Sequence, residues 1–382
     1  MKRTTLFLAG LALMAAGCTD TEIVNNNAPE TSQSINFAAY TSKLTRALQT
    51  DVTTSNLTSF KVTAIGNNSI YFEDVVFTKG VDVWESADEH IWPNYPLDFY
   101  AYNTPENDSD VDPTGFVSYI KLDDNKNIKV TPAKELAHQE DFVVAKALRQ
   151  TSAGTSTNEH HAVNLTFKHY LTQIILHAKN SYTERYKVEV KEAQIKHIAG
   201  SGIYYFAADK MTADANSMTD YSASFTSKML TNVAHEVMTD DGGGKAYLVP
   251  QNITPWVQST DPTNTSKGAY LALKVKITTV DGARFYPATG EDEYAWMAVP
   301  MPSVDANERI YDYAPGKKYT IILNFFSERT SAGYVDPEEP GDLDGDGDTD
   351  DDKGLPIGGN VIKFNASVDD WDTTNTTITI NL

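Results

Sequence analysis

The side chains best suited to binding a ligand form an acidic run near the C-terminal end of the chain. The run holds five aspartates at alternate positions: Asp342, Asp344, Asp346, Asp348 and Asp350. Carboxylates are preferred Ca²⁺ ligands, and Gly347 stands where an EF-hand loop turns sharply, but Lys353 replaces the glutamate that would close such a loop. The sequence leaves two interpretations open, a weak calcium loop and a solvated acidic linker, and neither requires a cofactor.

The only cysteine of the chain, Cys18, follows an export signal. Lys2 and Arg3 precede an apolar stretch over residues 6–16, which is too short to span a bilayer and is typical of a removable signal. The Ala-Ala-Gly before the cysteine resembles a lipobox, although alanine stands where leucine is commonest. The sequence predicts a lipoprotein signal peptide over residues 1–18, lipidation of Cys18 as a membrane anchor, and no disulfide in the folded part.

Catalytic patterns are missing from the sequence. It contains no nucleophile elbow, zinc-protease, Walker or dinucleotide glycine motif. Glu159, His160 and His161 could contribute metal ligands, but neighbours on a strand point to opposite faces and no second cluster has matching spacing. The sequence therefore predicts that the protein is not an enzyme.

Aromatic residues are dense in one part of the chain. They are Trp84, Trp92, Tyr95, Phe99, Tyr100 and Tyr102. Such a cluster could stack on sugar rings, but Trp and Phe at alternate strand positions more often fill a core. The sequence favours core packing and leaves glycan binding as the alternative.

Charge and length limit the classes of partner and fold. The net charge is -21 and the pI is near 4.7, which argues against nucleic acid, because proteins that bind phosphate backbones need a basic face. The 382 residues exceed what a single core usually supports, so about two domains are expected.

Short runs of alternating apolar and polar residues, separated by Gly, Asn, Asp and Pro, continue from Ile35 onward, and Ile35, Phe37 and Ala39 are predicted to share one face of the first strand. This period of two is typical of half-buried antiparallel strands, and no long amphipathic helix or βαβ spacing interrupts it. The sequence predicts an all-β fold of two tandem β-sandwiches, over residues 47–160 and 161–330. Residues 19–46 are predicted to form a tether and a first strand, and residues 331–382 an acidic linker and C-terminal extension strands.

Degenerate motifs spread over nearly the whole chain carry a family resemblance. They are Ala15-Ala16-Gly17-Cys18, Thr45-Arg46-Ala47, Ile91-Trp92-Pro93, Leu97-Asp98-Phe99-Tyr100-Ala101-Tyr102, Asp141-Phe142-Val143-Val144-Ala145, Leu165 to Ile174, Leu248-Val249-Pro250-Gln251, Pro315 to Tyr319 and Val368-Asp369-Asp370-Trp371. Together they resemble the fimbrillins of Bacteroidetes, the type V or Mfa-like pilins. The resemblance implies two transthyretin-like β-sandwiches, export as a lipoprotein, removal of an N-terminal segment by an arginine-specific protease, and polymerisation by donor-strand exchange.

The implied processing step has a candidate position. Arg46 is the only arginine between the signal peptide and Arg149, and it follows the alternating strand that begins at Ile35. Its small polar neighbours would let a protease reach it. Taken with the resemblance, this predicts cleavage of the Arg46-Ala47 bond, so that the first strand is a pro-segment closing the groove of the first sandwich.

The C-terminal tail contains the candidate donor strand. Two runs of alternating apolar residues end the chain: Ile362, Phe364, Ala366 and Val368, then Ile378, Ile380 and Leu382. Inserted into the groove of another subunit, the last three would act by β-augmentation. The alternative is that both strands complete their own sandwich.

Residues and resemblance together predict a structural pilin of a surface fimbria that supports cell adhesion. The expected partners are other copies of the chain or related pilins, an arginine-specific protease, and the outer membrane, to which the lipid anchors the precursor. A monomeric surface lipoprotein that binds glycans or host proteins is the alternative. Stalk, anchor and tip positions are equally compatible with the sequence.

Overall fold

The computed structural model describes residues 33–41, 51–105, 114–122, 126–155, 161–258, 268–291, 293–302, 312–327, 332–358, 363–370 and 378–381. Within these ranges the regular structure is almost entirely β-strand. The described helices are a 3-10 turn over Leu136–His138 and a single α-helical turn over Ser152–Thr155. The all-β prediction is therefore confirmed.

Nine described strands lie in the first part of the chain. They are β1 (Phe37–Thr41), β2 (Ser59–Gly66), β3 (Ser69–Lys79), β4 (Trp84–Ser86), β5 (Leu97–Asn103), β6 (Gly115–Ser118), β7 (Asn127–Thr131), β8 (Val143–Gln150) and β9 (Val163–His169). Seven of them form a closed barrel in the order β1-β4-β3-β2-β5-β8-β9. The barrel closes because β1 pairs antiparallel with β4 and parallel with β9.

This barrel differs from the first sandwich predicted over residues 47–160. It begins earlier, with β1, and ends later, with β9, which pairs with β8 and β1. The alternating residues Val163, Leu165 and Phe167 of β9 are fully buried in the barrel core. The predicted junction at residue 160 is therefore corrected to a position after His169, because a strand's alternation does not reveal which sheet the strand joins.

Sixteen described strands follow. They are β10 (Thr172–Asn180), β11 (Tyr186–Ala199), β12 (Gly202–Tyr205), β13 (Lys210–Ala213), β14 (Met218–Met229), β15 (His235–Glu236), β16 (Ala246–Leu248), β17 (Gln251–Asn252), β18 (Tyr270–Thr279), β19 (Arg284–Tyr286), β20 (Ala295–Pro300), β21 (Asp312–Tyr313), β22 (Lys317–Phe325), β23 (Tyr334–Val335), β24 (Lys363–Asp370) and β25 (Ile378–Asn381).

Most of these strands belong to two sheets that enclose one core. The first sheet has the order β15-β10-β22-β24-β25, with β16 beside β10, and the second has the order β14-β11-β18-β20-β23, with β19 beside β18. Leu176 and Ile321 of the first sheet share a buried cluster with Val190 and Leu273 of the second. The second half of the molecule is therefore a two-layer sandwich that extends beyond the predicted limit at residue 330.

The predicted acidic linker is part of this second core. β23 pairs with β20, and Ala332, Val335 and Ile357 are fully buried among the sandwich residues. The amide of Ala332 donates to the carbonyl of Ile357 at 3.0 Å, and the amide of Ile357 donates to the carbonyl of Gly333 at 2.8 Å. The linker prediction is corrected for residues 332–358, since apolar residues on both sides of the aspartates fasten the segment to the sandwich.

A third sheet, β13-β12-β7-β6, joins the two halves of the chain. β7 of the first half pairs with β12 of the second at four register positions. Aromatic rings of both halves pack at this junction: the centroids of Phe142 and Tyr204 are 6.1 Å apart, and those of Tyr100 and Phe206 are 5.1 Å apart. The two halves therefore share an aromatic core in addition to their own.

Candidate assembly site at the first strand

β1 lies where the barrel sheet closes. All five of its residues pair in parallel register with residues 163–167 of β9, whereas on the other side Phe37 alone pairs with Trp84 of β4. Just before the strand, the amide of Ile35 donates to the carbonyl of His90 at 2.7 Å. The strand is thus hydrogen-bonded mainly to one neighbour.

The inward side chains of β1 fill the barrel core. Phe37 is fully buried, and its ring lies edge-on to Phe77 and Phe99, with centroids 4.7 and 5.2 Å away. Ile35 and Ala39 are each 2% exposed. The predicted shared face of these three residues is confirmed, and a barrel without β1 would contain an aromatic-lined slot between β9 and β4.

The outer face of β1 is covered at one position. Ala38 is 8% exposed and packs in a small cluster with Val83 and Ala162. The next outward residue, Tyr40, is 51% exposed. A strand that occupies this slot therefore packs best with a small outward side chain where Ala38 stands and tolerates a large one two residues later.

Asp51 fastens the chain after β1 to the second half of the molecule. Its carboxylate accepts hydrogen bonds from Lys245 Nζ at 2.7 Å, from Gln173 Nε2 at 2.7 Å and from the Tyr247 hydroxyl at 2.5 Å. Lys245 is 6% exposed, so this ion pair is largely shielded from solvent. Sequence reasoning missed the group, because an isolated aspartate in a polar stretch carries no pattern that marks it as buried.

The predicted processing residues, Arg46 and Ala47, lie outside the described residues, between two fastened points. On one side, the amide of Thr41 donates to Thr54 Oγ1 at 3.0 Å, and the amide of Thr54 donates to Thr41 Oγ1 at 2.9 Å. On the other side is the Asp51 anchor. Residues before the predicted cleavage bond therefore plug the barrel, and residues after it are held by the second half.

The Asp51–Lys245 pair is expected to stabilise this junction. Asp51→Asn and Lys245→Met should each lower the free energy of unfolding by about 2 kcal/mol, because each leaves a buried partner with incomplete hydrogen bonding. The double variant should lose less than the sum, with a coupling free energy of about 1–3 kcal/mol. Urea unfolding of the four proteins measures this quantity, and strict additivity would show that the two groups do not interact.

A more exposed ion pair provides the control for that cycle. Lys274 Nζ lies 3.6 Å from Glu192 Oε1 on the second sheet of the sandwich, and both side chains are partly open to solvent. Lys274→Met with Glu192→Gln should show a coupling free energy below about 1 kcal/mol.

A buried carboxylate and imidazole lie beside the anchor. Asp141 Oδ2 is 2.6 Å from His169 Nδ1, and both side chains are almost fully buried. The same carboxylate oxygen accepts a hydrogen bond from the amide of Val52 at 3.2 Å. The motif that begins at Asp141 thus contributes a contact that holds the chain directly after Asp51.

The acidic loop brings three carboxylates together. Oxygens of Asp342, Asp344 and Asp352 lie within 4.8 Å of one another and could hold a metal ion. Asp342 accepts hydrogen bonds from the amides of Gly345 at 2.6 Å and Gly347 at 3.2 Å. Both glycines have a positive φ, a conformation that glycine adopts without strain.

The other three aspartates of the predicted set are exposed and lie outside this cluster. Asp346 Oδ1 accepts a hydrogen bond from the amide of Asp348 at 2.8 Å, and Asp348 Oδ1 accepts one from the amide of Asp350 at 3.0 Å. The side chains of Asp346 and Asp348 therefore stabilise local turns of the loop. The structure therefore narrows the calcium prediction to Asp342, Asp344 and Asp352.

Electrostatics indicates what a cation would do at this cluster. Burial raises the pKa of Asp352 above that of a free aspartate, and the charges of Asp344, Asp351 and Asp342 add to the increase. A carboxyl group with a raised pKa binds its proton more tightly in the folded state, so its contribution to stability is lost as pH rises through that pKa. At neutral pH a divalent cation would offset this repulsion.

Calcium binding stays a prediction with a direct test. At pH 7, millimolar calcium should raise the melting temperature relative to EDTA, because the ion relieves the repulsion among the three carboxylates. Asp352→Asn should melt higher than the wild type without calcium and should lose the calcium response. Asp346→Asn, in the same loop but outside the cluster, should keep it. A melting temperature that calcium does not change would favour a plain acidic loop.

The C-terminal strands complete their own sheet within a single chain. β24 pairs antiparallel with β22 at eight register positions, and β25 pairs with β24 at four. Of the predicted donor residues, Ile378 and Ile380 belong to β25, and Leu382 lies outside the described residues, as does Cys18. A single chain therefore adopts the alternative named from the sequence, with the tail at the end of its own sandwich.

The sequence matches the model of the fimbrillin-like family over residues 45–332, about three quarters of its length. The chain belongs to the fimbrillin-like family. The matched region of this fimbrillin-like chain begins beside the predicted cleavage bond, so it contains most of the barrel but not β1. No curated protein matches the chain.

Several solved structures are similar to this fimbrillin-like chain at low sequence identity. A fimbrial protein from Bacteroides vulgatus is 16% identical, and the alignment covers 76% of this chain and 94% of that one, with a TM-score of 0.48. A fimbrilin from Porphyromonas gingivalis is 12% identical, with coverage of 90% and 98% and a TM-score of 0.43. The family assignment rests on the sequence match alone.

The aromatic cluster of the fimbrillin-like chain lies in its cores. Five of the six residues are less than 10% exposed: Trp84, Trp92, Phe99, Tyr100 and Tyr102. Tyr95 is partly exposed. The prediction of core packing is confirmed, so these rings do not form a surface on which a sugar could stack.

The remaining sequence candidates form no site in the described part of the chain. His161 is exposed, and Glu159 and His160 lie outside the described residues. Among the described residues, the acidic loop alone gathers three side chains suited to a metal. The described helices include none with the length and apolar character needed to cross a membrane.

Proposed function

We propose that this fimbrillin-like chain is a subunit of a surface fimbria that polymerises when β1 is exchanged for a strand of another copy. The position of β1 carries the proposal: it precedes the predicted cleavage bond, buries Phe37 in the barrel core and is hydrogen-bonded mainly to β9. The chain after that bond is anchored through Asp51. Cleavage would therefore free the plug while the barrel stays in place.

The covalent step is hydrolysis of the Arg46-Ala47 peptide bond by a separate arginine-specific protease. Water adds across the amide and leaves a carboxylate on Arg46 and an amino group on Ala47. β1 is then held by non-covalent contacts, and an incoming strand can compete for β9 and for the slot. An open strand edge beside apolar pockets is the usual template for β-augmentation.

The C-terminal tail is the proposed donor. It forms the end of its own sheet, and its alternating runs place an apolar residue at every second position, as the slot requires. The donor residues predicted from the sequence are Ile378, Ile380 and Leu382. Each buried aliphatic side chain would contribute about 1.5–3 kcal/mol, so a few acting together would make subunits dissociate very slowly.

Lipidation at Cys18 would hold the precursor on the outer membrane at the cell surface. Cleavage after Arg46 separates residues 18–46, which carry the lipid on Cys18, from the rest of the chain, so the mature subunit starts at Ala47. Mass spectrometry of protein shed from the surface should find this N-terminus. Surface material that consists wholly of chains with an intact lipidated Cys18 would contradict the processing step.

Electron microscopy tests the proposal against its rival. Full-length Cys18→Ser protein, which cannot be lipidated, should stay monomeric until an arginine-specific protease cleaves it, and should then form fibres. The rival, a monomeric lipoprotein that captures glycans, predicts no fibres and binding on a glycan array. The burial of the aromatic cluster disfavours that rival. Complete cleavage without fibres would overturn the proposed function.

A further inference from the structure

One sequence pattern links β1 to a strand of the tail. The pattern Ile-x-Phe-x-Ala occurs twice in the chain, at residues 35–39 and at residues 362–366. The first copy runs into β1, whose first residue is Phe37, and the second runs into β24, whose first residue is Lys363. Two residues further on, Thr41 and Val368 are both β-branched. The first tail run thus repeats the inward residues of β1 at the same spacing.

We infer that β24 of a second copy takes the slot of β1 in the same register, so that Phe364 replaces Phe37 and Ala366 replaces Ala39. The inference rests on the proposed function, and it names the strand and the register of the exchange. It differs from the sequence prediction, which placed the donor in the last strand, β25.

The pocket that holds Phe37 favours β24. That ring lies edge-on against Phe77 and Phe99 and 6.0 Å from Phe60, and no part of it is exposed. A second phenylalanine restores all three contacts. An isoleucine such as Ile380 is smaller and would leave a cavity beside the three rings, which destabilises a packed core.

The pocket that holds Ala39 also favours β24 over β25. Ala39 is 2% exposed and pairs with Leu165 of β9, which is fully buried. With Ile380 in the Phe37 pocket, Leu382 of β25 would take the position of Ala39. Its side chain is three carbons larger, and overfilling a packed core forces side chains and backbone to move. Alanine, as at residue 366, fits without rearrangement.

In this register, one residue of β24 fits less well than the residue of β1 that it replaces, and it lies at the outward position of Ala38. Ala38 packs closely with Val83 and Ala162, and Asn365 would take its place. A larger, polar side chain fits that cluster less well. Asn365→Ala should therefore strengthen the assembled fibre and slow its dissociation in denaturant by about tenfold. Faster dissociation of this variant would contradict the register.

The length of β24 and its place near the end of its sheet allow the exchange. β24 has eight residues, more than the five that β1 pairs with β9. Within its own chain it pairs with β22 on one side, and on the other side β25 is the last strand of the described sheet. The β24–β25 hairpin can therefore leave from the end of the sheet. The exchange replaces one ladder of backbone hydrogen bonds by another, as in domain swapping.

Disulfide trapping reports the register directly. Ala38 pairs with Asn164, an exposed residue of β9, so Asn365 of the neighbouring copy should lie opposite Asn164. In the Cys18→Ser background, Asn164→Cys with Asn365→Cys should give fibres whose subunits are linked in series after mild oxidation. A non-reducing gel would show a ladder of multimers, and the sample that was not cleaved should show none.

Two further cysteine pairs separate the alternatives. Thr166→Cys with Asn365→Cys is out of register by two residues and should link far less, because Thr166 pairs with Tyr40. Asn164→Cys with Thr379→Cys places the second cysteine on β25. Stronger linkage in either control than in the first pair would overturn the inference and leave the exchange intact. Absence of fibres from the cleaved Cys18→Ser parent would overturn the proposed function itself.

Discussion

Replacing Arg46 with lysine should abolish fibre formation by protein treated with an arginine-specific protease. The protease does not cleave after lysine, so β1 stays covalently attached beside its slot. An incoming strand then competes with a tethered one, whose effective concentration is far higher than that of another subunit. Sedimentation and electron microscopy should find monomers where the wild type gives fibres, an all-or-none difference.

The next arginine of the chain supplies the matched control. Arg149 lies on the exposed side of β8, and its amide donates to Asp98 Oδ1 at 2.7 Å, a backbone contact that lysine keeps. Arg149→Lys should polymerise like the wild type. Fibres from Arg46→Lys at the wild-type rate would show that cleavage at this bond does not control assembly.

Phe37→Ala should lower the free energy of unfolding of the uncleaved chain by about 3–5 kcal/mol, because it removes a fully buried ring from the barrel core. Denaturant unfolding measures this loss. The same change weakens the plug, so after cleavage the variant should also assemble faster than the wild type. A loss below about 1 kcal/mol would mean that β1 does not fill the barrel in solution.

Tyr40→Ala is the control on the same strand. Tyr40 is 51% exposed and faces away from the core, so its truncation should cost less than about 1 kcal/mol and leave the assembly rate unchanged. Equal effects of the two variants would point to a general weakening of β1 rather than to the loss of the ring from its pocket.

Local patterns in the sequence were sufficient for the fold class and for the shared face of Ile35, Phe37 and Ala39. Both follow from period-two alternation, which reports that one face of a strand is buried. The family resemblance was confirmed by the match over residues 45–332. The processing bond, the lipidated cysteine and the donor role of the tail stay predictions.

Strand partners were decided by the tertiary structure. β1 closes a barrel by parallel pairing with β9, and β7 pairs with β12 across the two halves. Alternation shows which face of a strand is buried, but it does not show which strand lies beside it. Neighbouring strands are joined by backbone N–H and C=O groups, which are the same in nearly every residue type. Two tandem sandwiches were therefore predicted where a barrel, a sandwich and a shared sheet are present.

The polar anchors, too, needed the tertiary structure. Asp51 and Lys245 are 194 residues apart in sequence, and each looks like a solvated charge until the fold buries both. The acidic loop gives a second case: the fold buries Asp342 and Asp352 and brings them to the exposed Asp344, while Asp346, Asp348 and Asp350 stay exposed outside the cluster. A charged side chain is buried only where an ion pair or hydrogen bonds compensate the loss of water. When the partner is distant in the chain, the spacing of residues in the sequence does not reveal it.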